Sequence, residues 1–178
     1  MRNATGAGRV VVGASGSLAS LAALRRGVLE ARAAGRPLPA VMAWEPPEGE
    51  VLYGLQPESA WADACAAEAA GRLDRALDEA LGGMPPDVRI ERCVLRGAPG
   101  AVLCAVASGA DDLLLLGAAR SSRTPVGVHR RPVQRAVLAD AVCDVVIVGG
   151  PRLRPAEARL LRRCRRQDAR LRTRQQPD

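Results

Sequence analysis

Five arginines fall within residues 120–135: Arg120, Arg123, Arg130, Arg131 and Arg135. A guanidinium carries a rigid fork of donors that matches phosphate or carboxylate oxygens two at a time. A segment so loaded is equipped to hold an anion, a nucleotide phosphate among them, through its side chains. It starts just after Gly117, which closes the apolar run Leu113–Leu116, and it leads into a short helical pattern at Val133–Ala139. A second set lies near the amino end, where Val10–Val12 is followed by Gly13, Ala14, Ser15, Gly16 and Ser17. Small residues let backbone amides approach a ligand, and serine hydroxyls cap a helix start or meet a phosphate. For Ser15 and Ser17, capping is the first reading and phosphate contact the second.

Catalytic chemistry finds less to work with. His129 is the only histidine, and no acid lies between Asp112 and Asp140 to partner it as a general base. It reads as an exposed loop residue. Asp111 and Asp112 look like paired carboxylates but read as the turn entering a strand, at the end of the sheet away from any crevice. Cys65, Cys93, Cys104, Cys143 and Cys164 show no C-x-x-C spacing and no cluster with histidine, so they read as free thiols of a reducing compartment rather than metal ligands. Residues 1–8 hold no apolar leader, and no apolar run approaches the roughly 20 residues of a membrane span. A cytoplasmic protein without enzymatic turnover, metal or membrane span is expected.

The elements that must position these residues alternate along the chain. Val10–Val12, Ala40–Trp44, Val88–Leu95, Leu113–Leu116 and Val145–Val148 read as strands. Helical patterns cover about 18–34, 58–81, 99–107 and 133–139. Gly35 stops the first helix, and Pro37 and Pro39 prevent its return. Short apolar runs flanked by turn residues fit strands buried on both faces. Alternating strands and helices predict a single α/β domain: a five-stranded, doubly wound parallel sheet with helices on both faces. Ligands of such sheets bind beyond the carboxyl ends of the strands, which is where the loops after Val12 and Leu116 begin. Trp44 should pack at the end of its strand, and aromatic residues make up only 2% of the chain, too few for stacking on single-stranded nucleic acid.

Charge divides the chain in two. The formal charge of +7 resides wholly in residues 151–178, and residues 1–150 are balanced. All basic residues are arginine. The tail, bracketed at its start by Pro151 and Pro155, reads as a solvated appendage able to contact nucleic acid or an acidic partner in a salt-sensitive way.

The segments VVVGASGS (Val10–Ser17), PLPAVMAWEPP (Pro37–Pro47), RGAPGAVL (Arg96–Leu103), ADDLLLLG (Ala110–Gly117) and AVLADAVCDVVIV (Ala136–Val148) occur in an order and spacing that resembles the universal stress protein family over residues 9–149. The resemblance implies a five-stranded sheet of the adenine nucleotide alpha hydrolase-like type and frequent dimers. In one branch it implies ATP above the carboxyl ends of the strands. That branch is similar in carrying an Asp after the first strand and a loop G-x2-G-x9-G-[ST]. Here the Asp position is Ala14. The first loop glycine is kept as Gly117, the second position is Arg120, and the final pair falls on Arg131 and Pro132 after one extra residue. Gly127 alone remains inside the loop. By this resemblance the candidate binding residues are Gly13, Ala14, Ser15, Val41, Gly117, Arg120, Arg130, Arg131 and Val133.

The sequence thus reads as a stress-response binding or regulatory module without backbone-cradled ATP and without a required cofactor. A homodimer paired through the fifth strand is expected. Two alternatives stand beside it: a switch that holds ATP or another anion through the loop arginines, and a weak binder of nucleic acid or an acidic partner through the tail.

Overall fold

Apolar runs closed by glycine or proline become the strands, and the alanine- and leucine-rich stretches between them become the helices. The order is β1 (Val10–Gly13), α1 (Leu18–Ala34), β2 (Leu38–Trp44), α2 (Ser59–Leu81), β3 (Ile90–Arg96), α3 (Pro99–Val106), β4 (Leu113–Gly117), α4 (Pro132–Asp140) and β5 (Asp144–Val148). The structure, a computed structural model, describes residues 8–46, 59–118 and 132–151. Arg120, Arg123, Gly127, His129, Arg130 and Arg131 lie outside the described residues, as does the basic tail beyond Pro151.

All strand pairs are parallel, in the order β3-β2-β1-β4-β5. The chain winds outward from β1 to β3, then returns to the other side of β1 for β4 and β5. Its direction of winding reverses between β1 and β4, which opens a crevice at the carboxyl ends of those two strands.

Side chains alternate across a strand, and the two cores show it directly. Val10, Val12, Ala40, Met42 and Leu115 join Leu21, Leu24, Val28, Leu73 and Leu77 on the α1–α2 face. Val11, Val41, Leu114 and Leu116 join Val102, Leu103 and Val137 on the α3–α4 face. Helices therefore cover both faces, as the sequence predicts.

Local signals explain the element ends. Ser17 caps α1 by accepting the Ser20 amide at 3.2 Å. Gly35 ends the helix at φ 62°, a left-handed conformation that glycine adopts without steric cost. Within α1, a Cβ on Gly27 would stand 2.5 Å from Val12 Cγ2, so glycine lets the helix lie close against β1. Three details differ from the sequence reading. Strand β2 begins at Leu38, not Ala40, because the Leu38 amide already pairs with Arg89 O at 2.8 Å. Pro39 lies inside this central strand, fully buried, where it gives the ladder no donor. Val88 precedes β3 rather than starting it, yet is buried all the same.

The amino ends of β1 and β4 are locked together. Asp112, its side chain 4% exposed, pairs with Arg9 Nη2 at 2.9 Å and accepts the backbone amides of Arg9 at 2.7 Å and Gly109 at 3.1 Å. Burial pushes this carboxyl up, but the hydrogen bonds from the Arg9 side chain and from the two amides, with the Arg9 charge, bring it below the ordinary carboxylate range. The Asp111–Asp112 pair thus marks the turn into β4, opposite the crevice. Among the described residues no helix is long and apolar enough to cross a membrane, and no cluster of His, Cys, Asp and Glu suits a metal.

Candidate functional site

The crevice at the carboxyl ends of β1, β2 and β4 holds a cleft of about 350 Å³. That lies within the size range of small-molecule sites, which run from roughly 300 to 1,000 Å³. The sheet and α3 provide an apolar floor: Val41, Met42, Leu103 and Leu116. The β1–α1 loop provides Gly13, Ala14, Ser15 and Ser17. The first turn of α4 provides Pro132, Val133 and Gln134, and α2 reaches the mouth with Arg72.

The β1–α1 loop is fixed from within. Ala14, buried, donates its amide to Val41 O at 2.8 Å. The Ser15 amide donates to Ser20 Oγ at 3.2 Å, and the Ser20 hydroxyl donates to Ser17 O at 2.9 Å. Gly16 takes φ +72°, which turns the chain into α1. The exposed hydroxyls of Ser15 and Ser17 lie 3.1 Å apart at the start of the helix. Ser17 is the cap, and Ser15 braces it while facing the cleft.

Gly117 has its own structural reason. A Cβ there would stand 2.5 Å from Ala19 C and Ser20 N, so only glycine lets the end of β4 meet the first turn of α1. Its carbonyl accepts Gln134 Nε2 at 2.9 Å, and the next amide, that of Ala118, is taken by Val148 O at 2.7 Å. Pro132 is the first residue of α4, the position in a helix where a missing amide costs least.

Of the residues picked out from the sequence, Gly13, Ala14, Ser15, Val41, Gly117 and Val133 all line this one cleft. Arg120, Arg130 and Arg131 fall outside the described residues, and Arg135 is exposed on α4 and is not among the cleft residues. Arg72 and Gln134 went unnoticed in the sequence. Arg72 is exposed, and among the described residues it has no ion-pair partner. Gln134 is buried, on the same helical face as the fully buried Val137. A polar residue on a buried stripe was the available signal.

Arg72 is the only ionisable side chain among the described residues that line the cleft. The cysteines stand elsewhere. Burial, reinforced by Glu91, pushes the Cys93 thiol up; burial and Asp140 do the same to Cys104, and burial and Asp112 to Cys143. Thiols shifted in that direction are poor nucleophiles.

Residues 6–149 match the model of the universal stress protein family. Solved structures share the fold. The universal stress protein UspA from Lactobacillus plantarum is 21% identical at a TM-score of 0.57, with 79% of this chain and 97% of that one covered. The protein MJ0577 is 11% identical at 0.55, with 82% and 98% covered. A universal stress protein solved in complex with cAMP is 27% identical at 0.48, with 79% and 95% covered. No curated protein matches the sequence.

Proposed function

We propose a function from one premise: the chain belongs to the universal stress protein family. It is a non-catalytic binding module of the cytoplasm, and its regulatory state is set by a ligand of nucleoside to mononucleotide size. The cleft takes the apolar body of that ligand and does not cradle a triphosphate on backbone amides.

The observation that carries this reading is that four amides around the cleft are already bound within the protein. Those of Ala14, Ser15, Ser20 and Ala118 are all spent inside the protein, on Val41 O, Ser20 Oγ, Ser17 Oγ and Val148 O. A phosphate cradle needs such groups free and convergent. Ala14 supports the same reading, because a methyl group there offers no carboxylate to a ribose or a base. The cysteines Cys65, Cys93, Cys104 and Cys143 are unbridged, which suits a reducing compartment.

Calorimetric titration with adenosine 5′-monophosphate and with Mg–ATP, beside a phosphate-release assay, tests the proposal. Micromolar to submillimolar monophosphate binding, no tighter binding of Mg–ATP and no phosphate release are expected. Preferential Mg–ATP binding, or steady hydrolysis, would overturn it.

The β5 edge supports a second element of the proposal, a homodimer. Val146 and Ile147 are 37% and 38% exposed on that edge, and Leu138 and Val142 nearby are each 64% exposed. The other edge is guarded by charge: Arg89–Glu91 at 2.9 Å, and Arg92 bound to Asp74 at 2.7 Å. An edge strand with exposed apolar residues invites pairing, and closing it against a second copy removes that liability.

A further inference from the structure

We propose that Gln134 is the specificity-determining residue of the cleft, a fixed acceptor that selects ligands presenting an N–H or O–H donor towards the end of β4. The inference rests on the binding role proposed above and assigns its selectivity to one side chain.

The argument begins with the amide's orientation. The two ends of a carboxamide differ only in hydrogen-bond sense, and neighbouring groups decide which way it points. Gly117 O, 2.9 Å away, can only accept, so the nitrogen must face it. The oxygen Oε1 is therefore directed away from Gly117. No donor among the described residues reaches it, although Gln134 is only 7% exposed and lines the cleft. Gly117 itself lies close to the Ala19–Ser20 backbone, which a Cβ on it would meet at 2.5 Å, and this packing limits its movement. The acceptor is thus held in one place by a rigid partner, as a reader of ligand chemistry must be.

Enclosure by the ligand gives this acceptor its selectivity. Open to water in the free protein, it loses its hydrogen bonds to water when an apolar ligand atom covers it and regains none, so a ligand lacking the donor is rejected. The apolar part of the wall, Val41, Leu103, Leu116 and Val133, offers no side-chain polar group to compensate. Across the mouth, Arg72 supplies the only charge among the described lining residues. The two groups come from opposite faces of the sheet, α4 and α2. They define a ligand with a donor at its inner end, an apolar ring between, and an anionic group at the opening.

The test uses adenosine 5′-monophosphate and three analogues, each lacking one donor: the purine riboside, 2′-deoxy and 3′-deoxy monophosphates. Wild-type protein should bind one analogue about tenfold more weakly than the parent, the worth of one such hydrogen bond. Gln134→Met should weaken the parent by a similar factor and be indifferent to that deletion. Gln134→Leu, which likewise removes the acceptor on a side chain of similar size, should lose the discrimination in the same way and serves if the Met variant fails to fold. Gln134→Met that discriminates as wild type does would overturn this inference alone. Wild-type protein that binds none of the four would overturn the binding role itself.

Discussion

The two ends of the sheet are built to opposite purposes. At the amino ends of β1 and β4, Asp112 accepts from the Arg9 side chain and two backbone amides, leaving little capacity for anything else. At the carboxyl ends, the amides of Ala14, Ser15, Ser20 and Ala118 are bound, but Gln134 Oε1, the Ser15 hydroxyl and Arg72 keep capacity toward the cleft. A buried carboxylate whose oxygens are all partnered holds a fold and reads nothing. Side chains that are anchored on one side and open on the other can read a ligand. On the proposed reading, the cleft reads a ligand through these side chains, while the amides of Ala14, Ser15, Ser20 and Ala118 hold the loops.

The largest effect should come from breaking the closed end. Asp112→Ala leaves Arg9 and two amides without their acceptor and should cost about 3 kcal/mol in a denaturant melt. Ligand affinity measured below the transition should stay the same. Because the Asp112 carboxyl is held below its ordinary range in the fold, its contribution is full above the unfolded value of about 3.9. It is lost as pH falls through the lower folded value. The stability gap between wild type and Asp112→Ala should therefore narrow on acidification below pH about 4, as followed by circular dichroism.

Next in size is Gly117→Ala, which forces a methyl group into the α1 backbone. It should cost about 2 kcal/mol and, unlike the Asp112 change, also weaken ligand binding, since the anchor for Gln134 moves. A variant equally stable and equally active would erase the distinction between the two ends. At the β5 edge, Ile147→Lys should turn a dimer into a monomer in sedimentation velocity, with the melting temperature of the monomer little changed. The smallest effect belongs to Arg72→Ala. Stability should stay within about 0.5 kcal/mol, as for an exposed residue. Binding of a monophosphate should weaken roughly fivefold and that of the nucleoside not at all, by calorimetry at two salt concentrations.

Much of this was legible in the chain. Runs such as Leu113–Leu116 announce strands buried on both faces, and the run of small residues from Gly13 to Ser17 announces a turn into a capped helix. Gly13, Ala14, Ser15, Val41, Gly117 and Val133 were assigned to one site and share one cleft. Other features were hidden for physical reasons. Pro39 looks like a breaker, but a strand tolerates one missing donor when its neighbours pair on both sides. Gly117 looks like a phosphate glycine, yet its contact with α1 is a tertiary fact that spacing along the chain does not reveal. Arg72 sits beside Gly71 on an alanine-rich helix and resembles any solvated arginine until α2 is docked over β2. Gln134 carried a signal, its place on the stripe of Val137, but its orientation depends on a carbonyl 17 positions away.

The contrast between the two ends is tested most directly by titrating adenosine 5′-monophosphate into isotope-labelled protein and following amide resonances. The account predicts shifts at Gly13–Ser17, Val41–Ala43 and Gly117 and in the side-chain amide of Gln134, with Arg9, Gly109 and Asp112 unmoved. Shifts centred on the amino end or the β5 edge, or none up to millimolar ligand, would contradict it.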